Sequence, residues 1–149
     1  MRSILVAIAL IIGISACKKS TPAPNQAELD DQTIKSYISS HQLNATATGS
    51  GLYYVIETQG TGPQATASSI VNVKYKGYLT NGTVFDQSAG YETDLNSVIQ
   101  GWKEGIPHFK KGGVGKLLIP SALGYGSQAT GNIPANSVLI FDITLQGVR

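Results

Sequence analysis

The chain has 149 residues, 11 Lys and Arg against 9 Asp and Glu, and a formal charge of +2 at pH 7. That near-balance leaves no basic footprint for nucleic acid. With 42% hydrophobic residues, only 13% charged and 17 glycines, the composition describes a turn-rich folded domain and excludes a disordered chain, while a single cysteine excludes an internal disulfide or a thiolate metal cluster.

Residues 1–16 read as a signal peptide. Met1-Arg2-Ser3 supplies a positive start, and residues 4–14 form an apolar run of 11 residues. A run of that length is too short to span a bilayer and suits a signal-peptide core. It ends in Ile14-Ser15-Ala16-Cys17, which resembles the lipobox of bacterial lipoproteins. That resemblance implies a lipidated Cys17 that holds the chain to a membrane, with the periplasmic face of the outer membrane as its expected location. Residues 17–26, polar and proline-bearing after the cysteine, read as a flexible tether.

Residues 27–42 carry helical spacing, with Ile34, Tyr37 and Ile38 on one stripe and acids early. His41 falls at the end of this helix, where solvent is its expected surrounding. Residues 44–51 are small and polar, so residues 27–49 form a helix and linker ahead of a domain over 50–149. Residues 52–56 are β-branched and aromatic and read as a strand ending at the turn cluster of residues 60–63. Residues 70–79 alternate, with Val71, Val73 and Tyr75 on one side and Asn72, Lys74 and Lys76 on the other. Asn81-Gly82 predicts a tight hairpin with both central residues at positive φ, and Val84-Phe85-Asp86 returns as the partner strand.

Residues 98–108 read as one short helix that Pro107 ends or kinks. On such a helix Val98, Ile99 and Trp102 share a face. The single tryptophan is then either core filler or the floor of an apolar pocket. His108 and Phe109 are assigned to packing or solvent. Gly112-Gly113 turns into a strand over 114–119, residues 120–134 form a long loop, and residues 137–147 form the last strand, with Leu139, Phe141, Ile143 and Leu145 on one face. Strands around one short helix give an α+β class: a curved antiparallel sheet packed on that helix.

Six motifs stand in order over residues 50–149: Val73-Lys-Tyr-Lys-Gly-Tyr-Leu79, Gly82-Thr-Val-Phe-Asp-Gln-Ser88, Val98-Ile-Gln-Gly-Trp-Lys-Glu-Gly-Ile106, Lys116-Leu-Leu-Ile-Pro120, Leu123-Gly-Tyr-Gly126 and Ile133-Pro-Ala-Asn-Ser-Val-Leu-Ile-Phe-Asp142. Together they resemble the FKBP-type peptidyl-prolyl cis-trans isomerases. The resemblance implies a sheet wrapped over a short helix with a pocket between them. It implies Trp102 as pocket floor, with Tyr75, Phe85, Val98, Ile99 and Phe141 as walls. Tyr125 and Ile133 would come from the loop, the Tyr125 phenol donating to a substrate carbonyl. Asp86 would be the polar group at the edge, and Tyr91 would fall near a wall aromatic of the family. The implied catalytic set is Tyr75, Phe85, Asp86, Trp102, Tyr125 and Phe141, and the implied substrate-binding set Tyr91, Val98, Ile99 and Ile133. No cofactor or metal is implied. The implied partners are proline-containing polypeptides and, as inhibitors, macrolides. Thr93 and Asn132 depart from residues common in the family, which bears on substrate preference and inhibitor affinity.

Bland readings stand beside these. Tyr75, Val98 and Phe141 satisfy a core role equally, and Asp86 after a hairpin satisfies a turn-capping role. Tyr125 between two glycines resists a core reading. Two function classes follow: an isomerase aiding the folding of exported proteins, or a non-catalytic chaperone or adaptor that grips proline-containing segments with help from the 27–42 helix. Nothing in the sequence points to a hydrolase: the fold holds no cysteine nucleophile and no Gly-x-Ser-x-Gly elbow, and neither of the two histidines stands in a catalytic motif.

Overall fold

The computed structural model describes residues 24–149. The expected signal peptide, Cys17 and most of the tether lie outside the described residues.

Helix α1 spans Gln26–Ser40. Its start is fixed by a capping box: the Asn25 side chain accepts from Glu28 N–H, and the Glu28 carboxylate accepts from Asn25 N–H. It ends two residues before the expected point. Leu43 N–H donates to Ile38 O and Gln42 N–H to Ser39 O, with Gln42 at φ 52, a Schellman closure built without glycine. His41 is exposed there and stacks on Tyr37 with ring centroids 3.8 Å apart.

Six strands follow: β1 Thr46–Ala47, β2 Tyr53–Thr58, β3 Ile70–Leu79, β4 Val84–Asp94, β5 Val114–Ile119 and β6 Leu139–Val148. They form one sheet in the order β1-β2-β5-β6-β3-β4, every pair antiparallel. The only helix between strands long enough for a regular turn is α2, Gln100–Gly105, flanked by 3₁₀ turns at Leu95–Ser97 and Ile106–His108. The α+β architecture expected from the sequence is therefore present, with α1 added outside the sheet.

Two local expectations are corrected. The β3–β4 hairpin is not a two-residue turn with both centres at positive φ. Gly82 N–H closes on Leu79 O at 2.8 Å, and only Gly82 is left-handed, at φ 87. Asn81 instead uses its side chain to accept from Thr83 N–H at 3.0 Å. A longer loop with glycine in the left-handed position satisfies the strand twist equally well. The return strand also runs 11 residues, far beyond Asp86. It is an edge strand, mostly solvent-facing, so its polar residues carry no apolar signature.

Apolar side chains of the sheet fill two cores. On one face, Val71, Val73, Phe109, Leu117, Ile119, Leu139, Ile143 and Leu145 close over Trp102 and Ile106. Gly101 lets α2 sit this close: a Cβ there would lie 2.5 Å from the Ile119 side chain. On the other face Val55, Leu118 and Val138 pack under Ile34, with Tyr37, Ile38, Leu43 and Tyr53 around them. Burial of Ile34 alone contributes about 1.5–3 kcal/mol to docking α1. Of the residues assigned to packing or solvent, Phe109 is fully buried and His108 stacks on Tyr54 at 4.1 Å.

Candidate active site

The site lies at the mouth of the first core, where the sheet, α2 and the long loop part. β3 presents Tyr75, and β4 presents Phe85, Asp86 and Tyr91. A bulge makes the last placement. Val73 pairs with Tyr91 while Tyr75 pairs with Ser88, so β4 carries an extra residue between them. Tyr91 thereby reaches Tyr75 edge-on, with centroids 6.1 Å apart. β6 presents Phe141 directly across from Gly77 of β3. A Cβ at Gly77 would lie 2.6 Å from the Phe85 ring and 2.8 Å from the Phe141 ring. Glycine at this position is what lets the two phenylalanines meet, edge to face at 5.5 Å.

Trp102 sits beneath these rings. Its centroid is 5.0 Å from Tyr75 and 5.4 Å from Phe141, at interplanar angles of 85° and 82°. These T-shaped contacts fix the indole plane. The indole is 4% exposed and its Nε1–H has no acceptor among the described residues.

Val98 and Ile99 do not belong to the helix that carries Trp102. Val98 has φ −112 and ψ 173, and Ile99 is the extended residue before α2, accepting at its carbonyl from Trp102 and Lys103 N–H. A single helix over 98–108 is thus replaced by an extended entry, a 6-residue α2 and a 3₁₀ turn with Pro107 near its start. Val98 and Ile99 still reach the pocket, but from the approaching chain and not through helical periodicity. Gly101 and Gly105 let α2 press onto the sheet, where a Cβ at either would lie within 2.6 Å of the Ile119 or Leu117 side chain.

The loop after β5 brings the remaining residues. Tyr125 stands on it, 39% exposed, and Ile133 is buried. Reciprocal backbone hydrogen bonds of 2.9 Å between Thr130 and Ile133 make a tight turn that holds Gly131 and Asn132 at the rim.

All ten pocket residues expected from the sequence line one open cavity of about 710 Å³: Tyr75, Phe85, Asp86, Tyr91, Val98, Ile99, Trp102, Tyr125, Ile133 and Phe141. Ser97, Thr130, Gly131 and Asn132 line it as well. Their small and polar types, one in a 3₁₀ turn and three in the loop, gave no signal in the sequence beyond the departure at Asn132. Asp86 is tied into the site rather than capping a turn: its Oδ2 accepts from the Tyr75 hydroxyl at 2.7 Å and its Oδ1 from Gln87 N–H at 2.8 Å. Burial first, then the bond to Asp86, pushes the Tyr75 phenol well above the usual tyrosine range. Tyr75 is therefore a neutral donor at physiological pH, committed to Asp86. The Tyr125 phenol makes no hydrogen bond to another described residue's side chain and stands at the opening.

The family model for FKBP-type peptidyl-prolyl cis-trans isomerases matches residues 62–146. The chain belongs to the FKBP-type isomerase family. FkpA of Buchnera aphidicola subsp. Schizaphis graminum is 45% identical over 117 residues, covering 74% of this chain and 46% of that protein. The crystal structure of FkpA from Escherichia coli superposes with a TM-score of 0.74 at 34% identity, covering 83% of this chain and 61% of that one. A peptidyl-prolyl cis-trans isomerase from Pseudomonas syringae pv. tomato superposes at 0.71 with 31% identity, covering 86% and 98%. The chain spans less than half the length of the curated FkpA relatives it matches. Among the described residues of this FKBP-type chain, no helix is long and apolar enough to cross a membrane.

Proposed function

We propose that the protein is a peptidyl-prolyl cis-trans isomerase acting on proline-containing polypeptides at the cell envelope, held to a membrane by a lipidated Cys17. The observation that carries the activity is the convergence of six aromatic rings and three aliphatic side chains on one open cavity with a single carboxylate at its edge. The lipobox-like sequence before Cys17 supports the envelope location.

An Xaa-Pro bond isomerises through a twisted amide. The twist breaks resonance across a bond whose rotation barrier is about 18–20 kcal/mol. Charge separation falls as resonance is lost, so the twisted amide needs water less than the planar one. A pocket walled by Phe85, Phe141, Val98 and Ile99 over Trp102 favours the twisted form differentially. The proline ring packs on the indole, whose plane the T-shaped contacts with Tyr75 and Phe141 hold. Tyr125 donates a hydrogen bond from its phenol to the substrate carbonyl, and Asp86, with one oxygen held by Tyr75, keeps a carboxylate fixed at the rim. A thousandfold acceleration asks for about 4 kcal/mol of differential binding, within reach of ring burial plus one or two hydrogen bonds. The same pocket supports binding of macrolide inhibitors.

The deciding measurement is catalysed cis–trans exchange in an Xaa-Pro peptide, with Trp102 fluorescence followed during ligand titration. Acceleration that is lost in Tyr125→Ala and Phe141→Ala is expected. Exchange at the uncatalysed rate with the unmutated chain refutes the activity.

A further inference from the structure

Asp30 is a carboxylate on α1 that is 3% exposed, and no lysine or arginine among the described residues pairs with it. Burying a carboxylate is costly unless its oxygens are well used. Here they are. Oδ1 accepts from Gln26 Nε2 at 2.7 Å, while Oδ2 accepts from both the N–H and the hydroxyl of Ser121, at 2.8 and 2.6 Å. Ser121, 2% exposed, opens the loop after β5. Its carbonyl in turn accepts from Gly124 N–H at 3.0 Å and Gly126 N–H at 2.8 Å, the residues on either side of Tyr125. Gly126 O accepts from Asn136 N–H at 2.8 Å, tying in the far limb of the loop.

We propose that Asp30 is a positioning residue for the pocket, setting the place of Tyr125 through Ser121 from the opposite side of the sheet. Two charge-assisted bonds fix one residue in both position and rotation, and the next two bonds in the chain clamp the backbone that carries the phenol. A helix packed only for stability would need no carboxylate at this point; Ile34 already supplies the apolar contact. This rests on the reading of Tyr125 as a substrate contact.

The test uses the full chain with Asp30→Ala, Asp30→Asn and Ser121→Ala. Asp31→Ala is the control, because Asp31, the next residue of α1, holds Tyr53 of β2 and Lys35 of α1 without touching the loop. The readouts are kcat and KM for an Xaa-Pro peptide and the backbone amide NMR signals of Gly124 and Gly126. Asp30→Ala is expected to move both glycine signals and to lower kcat/KM about fivefold, as displacement of a contact group does. Asp30→Asn, which keeps an acceptor for Ser121, recovers most of that loss. Combined with Tyr125→Phe, Asp30→Ala adds nothing further. Asp31→Ala leaves kinetics and both signals in place. Unmoved glycine signals in folded Asp30→Ala overturn the proposal, as does a loss that adds to that of Tyr125→Phe or is matched by Asp31→Ala. If Asp30→Ala does not fold, Ser121→Ala, which removes only the hydroxyl donor, is judged on the same readouts. If the unmutated chain shows no isomerisation, the isomerase reading fails and the glycine signals alone decide the Asp30 coupling.

Discussion

The two faces of the sheet are packed to opposite ends. Under α1 the central contacts are aliphatic, with Ile34 fully buried among Val55, Leu118 and Val138, Tyr37 and Tyr53 at the margin, and Tyr53 and Ser121 bonded to consecutive carboxylates. Over α2 the contacts are aromatic and left open at one end, where edge-to-face rings surround a cavity. Both faces use the same strand alternation. The difference is that a 15-residue helix lies with its long side on the β2–β5 part of one face, whereas a 6-residue helix leaves the rim of the other to loops. Closed packing stabilises, and incomplete packing makes a binding site.

Truncating Trp102 to alanine should break this contrast most severely, since it serves core and pocket at once. A loss of about 3–5 kcal/mol in urea unfolding is expected, together with loss of isomerisation. Ile34→Ala should cost about 2–5 kcal/mol by the same cavity argument, yet lower turnover per folded molecule far less than Trp102→Ala, because Ile34 lines no part of the pocket and reaches it only through the docking of α1. Equal damage to turnover would show that the two faces are not separable. Gly77→Ala should reverse that pattern: its Cβ intrudes on Phe85 and Phe141, so kcat/KM falls steeply while stability drops by only about 1–3 kcal/mol.

Tyr75→Phe is the finest probe. Removing the hydroxyl that donates to Asp86 should cost about 1 kcal/mol at neutral pH. Its alkaline behaviour follows from the raised phenol. A raised folded value gives stability that is full below the ordinary tyrosine pKa of about 10 and is lost as pH rises toward the folded value. Tyr53 and Tyr78 are raised too, mainly by burial. Thermal unfolding scans from pH 9 upward should therefore show softening in the unmutated chain and a shallower fall in Tyr75→Phe. Identical slopes would remove Tyr75 from the account.

Much of this was legible in residue order. Period-two alternation over residues 70–79 and 139–145 located β3 and β6, because one buried face imposes it. Five of the six motifs carry nine of the residues that line the cavity, and Tyr91, between the second and third motifs, is the tenth. Less legible was the reach of β4, whose edge position leaves no apolar face to read, and the start of α2, where Val98 and Ile99 match a helical face but are extended. Periodicity cannot tell a helix face from two wall residues that enter by different routes.

The sequence by itself determined the succession of strands along the chain and the aromatic set, because burial selects side-chain type and spacing locally, whereas the order of the strands in the sheet came from the fold. Tertiary structure alone decided that Asp30, 91 residues from Ser121, would be buried against it, that Gly77 would be the gap between two phenylalanines, and that Asp86 would answer Tyr75. Those facts depend on which backbones approach across the sheet, a distance that no local pattern encodes.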